Sequence, residues 1–218
     1  MNDAGTIRVT GKGMIRLMPD TTRITLTIEG ISPDYSMLLQ SSASDTARFH
    51  EALETVGFAR EDLKTLQFRV QPEYEGYQED GVYKQRLTGF RFLHELSFAF
   101  PSDNERLEHI LAALAGTGLR PEFSISFTVK DREAAKNALL KAAVADAKAK
   151  AETLAAASGV RLRGIRHIRY SINESEFAVH PVNRSVFAAK ASADRFAPEI
   201  VPEEIEAEDT VSIVWEIE

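Results

Sequence analysis

Strict alternation of apolar and polar side chains over several separate stretches constrains this chain more than any other feature. Ile7 and Val9, then Ile15 and Leu17, then Ile24, Leu26 and Ile28 keep one parity within each run, with Arg8, Thr10, Arg16, Arg23, Thr25 and Glu29 on the other. A period of two is that of a half-buried strand, because successive Cβ atoms point to opposite sheet faces. Pro19-Asp20 separates the two runs, which reads as an antiparallel hairpin. Gly11 and Gly13 sit inside its first strand, where glycine marks a bulge, expected near Lys12, or a close backbone approach. Leu66, Phe68 and Val70 alternate again, and a longer return run puts Phe90, Phe92, His94, Leu96, Phe98 and Phe100 on one face. Phe123, Ile125, Phe127 and Val129 form another alternating strand.

Three segments between the strands change period. Pro33 opens a helix with Leu38, Leu39, Phe49, Leu53 and Val56 mainly on one side, and Gly57 stops it. Asp103 to Ala115 repeats the pattern with Leu107, Ile110, Leu111 and Leu114, closed by Gly116 and Gly118. Asp131 to Ser158 is richest in alanine, with Asp131 as N-cap and Gly159 as stop. Its small residues Ala134, Ala135, Ala138, Ala142, Ala145 and Ala149 allow close approach to a sheet or another helix. A basic strand, Arg161 to Ile172, and an acidic one, Glu204 to Ile217, end the chain. The order ββα-ββα-βα-ββ predicts an α+β fold, an antiparallel sheet covered by helices, in a single domain over residues 1–218.

Two excursions leave that frame. Residues 73–87 are polar and rich in Tyr and Gly around the turn Asp80-Gly81, so a long hairpin projects beyond the sheet. Residues 173–203 have no clean period but carry Phe177, Val179, Val182, Val186, Phe187, Phe196 and Ile200, which need a surface to pack against. Tyr and Arg are enriched at protein interfaces, so Tyr74, Tyr77, Tyr83 and Arg86 of the hairpin, with Phe177 and Phe187 of the loop, are the candidate contacts of a homo-oligomer.

Catalytic apparatus is thin. The five histidines, His50, His94, His109, His167 and His180, lack metal-ligand spacing, and no His-Glu-x-x-His pattern occurs. His94 reads as a core histidine hydrogen-bonded among phenylalanines, the other four as surface residues, and Glu95 points to the opposite face. Gly11-Lys12-Gly13 lacks the rest of a phosphate loop, and there is no Gly-x-Ser-x-Gly elbow. No catalytic, metal or cofactor residues are therefore expected. The 218 residues include no cysteine, which removes disulfides, thiolate catalysis and thiol-based peroxide scavenging. With 26 basic and 33 acidic side chains the net charge is −7, which argues against a general nucleic-acid binder. No run reaches the ~20 apolar residues of a membrane span. Arg161, Arg163, Arg166, His167 and Arg169 are read as facing Glu204, Glu206 and Glu208 across paired strands.

Ile7-Arg8-Val9-Thr10-Gly11-Lys12-Gly13 followed by Pro19-Asp20 resembles the start of the SIMPL-domain family, and other segments continue the likeness. They are Leu63-Lys64-Thr65 leading to Gln71-Pro72-Glu73-Tyr74, Leu87-Thr88-Gly89-Phe90, the helix Ala142 to Ala151 running to Leu154 and Gly159, Gly164-Ile165, and Ile213 to Ile217. The resemblance covers nearly the whole chain. It implies kinship with oxidative-stress-defence proteins of the YggE type and with a periplasmic immunogenic protein that forms large rings. It supplies no enzymatic activity and no catalytic residues. The expectation is a non-enzymatic homo-oligomer of largely unknown function, linked to oxidative-stress defence in the cell envelope. The alternative is a binding module for a small ligand or peptide, using a cleft between helices and sheet. Family members commonly carry an export signal, and none follows Met1. The expected place is the periplasm or cell envelope if a signal has been removed, and the cytoplasm otherwise.

Overall fold

The computed structural model describes residues 5–170, 177–179 and 200–218. It is an α+β structure with the strand and helix order expected from the periods. Its chain divides into two compact units: Met1–Asp20, Thr128–Val179 and Pro202–Glu218 make the first, Thr21–Phe127 and His180–Val201 the second. Each unit has its own sheet and core.

In the first unit β1 (Thr6–Leu17), β8 (Ile205–Ile217) and β6 (Leu162–Tyr170) form an antiparallel sheet in the order β1-β8-β6, with α3 (Arg132–Ala157) packed on β1 and β8. Asp131 caps α3 through its carboxylate, which accepts from the Ala134 N–H at 2.8 Å. The buried face of α3 is Ala135, Leu139, Ala143, Ala147, Ala151 and Ala155, spaced four apart. Of the six small residues expected there, only Ala135 is buried. With alanine on every side, composition allows close approach but does not choose the stripe. Gly11 and Gly13 make the choice. A Cβ on Gly11 would lie 2.1 Å from the Ala143 carbonyl oxygen and 2.5 Å from the Ala147 nitrogen, and one on Gly13 2.3 Å from the Leu139 carbonyl oxygen. Helix and strand backbones therefore touch at the glycines. β1 pairs with β8 without a register shift from Thr6↔Glu216 to Leu17↔Ile205, so the expected bulge near Lys12 is absent and the glycines serve the close approach.

The second unit holds β2 (Thr21–Ser32), β3 (Lys64–Glu79), β4 (Val82–Pro101) and β5 (Glu122–Thr128) in the order β3-β4-β2-β5. Helices α1 (Tyr35–Thr55) and α2 (Asn104–Gly116) bury Leu38, Phe49, Leu53, Leu107 and Ile110 with Ile24, Leu26, Phe92, Leu96, Phe98 and Phe100 of the sheet. Asp34 and Asp103 cap the two helices. A two-residue strand β7 (Ala178–Val179) completes the set.

The hairpin expected from Thr6 to Ile31 does not form: β1 pairs with β8 and β2 with β4, in different sheets. A tight two-residue hairpin turn favours Asn-Gly, Asp-Gly or Gly-X, and the Met18-Pro19-Asp20 link contains no glycine. Asp20 is held instead by the chain after β5, its N–H donating to the Thr128 carbonyl at 3.1 Å and its carboxylate accepting from the Lys130 N–H at 2.8 Å.

Candidate functional site

The long hairpin forms as expected. Asp80 and Gly81 both have positive φ, 53° and 77°, the geometry of a two-residue turn matched to strand twist. Pairing of β2 with β4 ends at Ser32↔Phe90, so from Glu73↔Gly89 to Glu79↔Val82 the strands β3 and β4 continue as a two-stranded ribbon. Alternation sorts its side chains. The pairs Tyr74↔Leu87, Gly76↔Gln85 and Gln78↔Tyr83 share one face, and Glu75↔Arg86, Tyr77↔Lys84 and Glu79↔Val82 share the other. The second face is closed on itself: Arg86 pairs with Glu75 at 2.6 Å and lies over the Tyr77 ring at 5.8 Å, and Lys84 pairs with Glu79. The first face is uncharged. Tyr74, Tyr83 and Leu87 are 57%, 69% and 53% exposed, and the Tyr83 ring lies across Gly76, whose added Cβ would meet the Tyr83 hydroxyl. At the ribbon base Arg91 bridges Glu73 and Glu29, and these carboxylates hold its guanidinium firmly charged.

Of the six candidate contact residues, Tyr74 and Tyr83 thus lie together on the free face, while Tyr77 and Arg86 are engaged with each other on the opposite one. Phe177 is a correction. It is 1% exposed, packed with Val129, Leu139 and Ile205 in the first unit, and its carbonyl accepts from the Thr128 hydroxyl, so it is not available to a partner. Phe187 and most of the 173–203 excursion lie outside the described residues; Ile200 packs against the core of the second unit.

His94 is buried beside α1 as the alternation implies. Thr46 donates its hydroxyl proton to the Ser42 carbonyl at 2.8 Å, so its oxygen is an acceptor toward His94 Nδ1 at 3.2 Å. That assigns the proton of neutral His94 to Nδ1 and leaves Nε2 to accept from the Thr65 hydroxyl at 3.0 Å. The Phe68 ring meets the imidazole edge-on at 5.0 Å. Among the described residues the ring's hydrogen-bond partners are hydroxyls, and none is a carboxylate. Beside it opens a cleft of about 350 Å³, between α1 and the β3 edge, reached also by His50 and by Arg60 of a short 3-10 turn, Arg60–Asp62. His50, expected at the surface, is half-buried there.

Burial lowers the pKa of both His94 and His50, with Arg60 adding to the effect on His50. The unfolded chain therefore binds protons first as pH falls. The stability these histidines contribute is complete above about pH 6.5 and is lost as pH drops through the folded-state pKa, by at most ~1.4 kcal/mol per pH unit for each group. Thermal unfolding between about pH 7 and pH 5 is expected to show this loss, above the range in which carboxylates titrate. His94→Phe flattens the profile; an unchanged slope contradicts the assignment.

The basic and acidic strands are antiparallel neighbours, but the expected charge pairing is wrong. β6 pairs with the far half of β8, from Leu162↔Ile217 to Tyr170↔Val211, beyond reach of the glutamates. Glu206 and Glu208 face β1 instead, with Arg16–Glu206 at 2.9 Å and Lys12–Glu208 at 2.8 Å, while Arg161 and Arg163 approach Glu218. Such exposed pairs contribute ~0–1 kcal/mol each. One buried carboxylate escaped the sequence reading. Asp209 accepts from the Tyr170 hydroxyl at 2.9 Å, which raises the tyrosine's pKa. Its signal was present: an aspartate at the parity of Ile205, Ala207, Val211 and Ile213. Among the described residues no group of three or more His, Asp or Glu could hold a metal ion, and no helix is long and apolar enough to cross a membrane.

Similar proteins span the chain. The uncharacterized protein YggE of Escherichia coli (strain K12) is 25% identical over 218 residues, 99% of this chain and 85% of its own length. YggE of Edwardsiella ictaluri (strain 93-146) is 24% identical over 208 residues, 95% and 84% of the two chains. Among solved structures, CutA from Synechococcus elongatus PCC7942 overlaps 59% of this chain and 94% of its own at 14% identity, with a TM-score of 0.22, too low to carry an argument. The SIMPL family model, described as a protein of unknown function (DUF541), matches residues 7–215. With that match covering nearly the whole chain, the chain belongs to the SIMPL family.

Proposed function

We propose that this protein is a non-enzymatic assembly unit that self-associates through the uncharged face of the β3–β4 ribbon. The observation that carries the reading is Tyr74, Tyr83 and Leu87 exposed together on a ribbon that has no third strand among the described residues. An isolated two-stranded ribbon is marginal in water, and exposed aromatics on a rigid frame are typical interface anchors. A second copy suits this face because it bears no charge. Two copies meeting there incur no like-charge penalty, although each chain carries −7. A place in the cell envelope and an indirect part in oxidative-stress defence extend the reading by family resemblance; the cysteine-free chain suits an oxidising compartment. Nitration by tetranitromethane tests the contact. In the native protein Tyr74 and Tyr83 are expected to react more slowly than Tyr77, although in one chain all three are exposed. Equal reaction of the three, mapped by mass spectrometry, removes the ribbon from the interface.

A further inference from the structure

We propose that the cleft beside His94 binds a small organic monocarboxylate with an aromatic or aliphatic body. The cleft lies within the second unit and measures about 350 Å³, within the range of small-molecule sites. Its apolar wall is built from Leu39 and the small side chains Ala43 and Ala47 of α1 on one side and the Phe68 ring, 46% exposed, on the other. These are residues that leave room and offer a ring face. Its polar groups are Ser42, Thr46, His50, His94 and Arg60. Among the described residues no carboxylate lines it, in a chain with 33 acidic residues. Glu54, the acid that acts on His50, lies outside the lining. Arg60 makes no ion pair among the described residues, and a guanidinium is a planar, multi-donor match for a carboxylate. The comparable cleft of the first unit, between α3 and β6, mixes Lys148 and Arg163 with Glu152 and lacks this bias.

The polar wall is also preset. Thr46 and Thr65 fix the tautomer and orientation of His94, so the ring does not turn to greet a ligand. Recognition of the anion falls to Arg60, aided by the Ser42 hydroxyl and His50, while Phe68 and the α1 alanines take the apolar body. The proposal is independent of self-association, since its readout is binding at α1 and not mass.

The test is equilibrium dialysis of the full chain against radiolabelled phenylacetate, with phenylacetamide as the neutral isostere. Saturable binding at millimolar concentration or below is expected, with the amide at least about tenfold weaker, the factor appropriate to one charge-assisted contact. Arg60→Gln is expected to weaken phenylacetate by about tenfold, because Arg60 is exposed and its loss spares the core. Ala43→Phe, on the exposed side of α1, fills the cleft and is expected to abolish binding with the circular dichroism unchanged. No saturable binding, equal binding of acid and amide, or full binding by either variant would overturn the proposal.

Discussion

Gly11→Ala is expected to destabilise the first unit by about 3 kcal/mol or more, a large effect for adding one methyl group. The added carbon would lie 2.1 Å from the Ala143 carbonyl oxygen and 2.5 Å from the Ala147 nitrogen, both helix backbone. Backbone cannot rotate out of the way as a side chain can, so α3 must lift from β1. Lifting it exposes Ala143, Ala147 and Ala151 and loosens their packing on Val9, Val211, Ile213 and Trp215. The hydrogen bonds that close the β1 edge go too. Lys12 N–H donates to Asp146 at 2.7 Å, and Lys150 pairs with the same carboxylate, which these contacts hold below its usual pKa. Trp215 is the single tryptophan and sits in this cluster, so its fluorescence during urea unfolding reports the first unit. Gly164→Ala is the matched control, since nothing lies within 4 Å of its added Cβ; a change within ~0.5 kcal/mol is expected. Equal midpoints for the two variants contradict the close approach.

Combining Tyr74→Glu with Tyr83→Glu is expected to weaken self-association by about 10³-fold and to leave the fold intact. Each aromatic anchor lost from an interface centre costs about 2 kcal/mol, roughly 30-fold, and two carboxylates on a formerly uncharged face add repulsion between copies. Folding changes little because both side chains are exposed, and a cross-strand pair contributes only ~0.2–1 kcal/mol. Tyr77→Glu, on the face already closed by Glu75–Arg86 and Glu79–Lys84, is expected to change association far less. If it acts as strongly as the pair, the wrong face has been assigned.

Local signals are legible in this chain and distant ones are not. The cap Asp131, the stops at Gly57 and Gly159 and the Asp80-Gly81 turn are legible because each acts within a few residues of itself, while the Asp103 cap emerges only in the structure. Pairing of β1 with β8 joins residues about two hundred apart, and alternation fits either neighbour equally; only the lack of a glycine at Pro19-Asp20 argues against the hairpin. The same holds for the acidic strand, whose glutamates found Lys12 and Arg16 across β1 and not the nearer run of arginines. The buried stripe of α3 was hidden by uniform alanine, and is fixed by two glycines on another element. At the candidate sites, the exposed tyrosines were visible as composition, but their division between two faces depends on register through the irregularity at Glu73/Tyr74. The cleft beside His94 assembles α1, a 3-10 turn and two strands, which no local pattern announces.

Sedimentation velocity of the native chain at micromolar concentration, run beside the Tyr74→Glu and Tyr83→Glu double variant, tests the central claim of self-association most directly. The account predicts a discrete multimer for the native chain and a 24.2 kDa species for the variant. A native chain that sediments as a 24.2 kDa monomer throughout would contradict it.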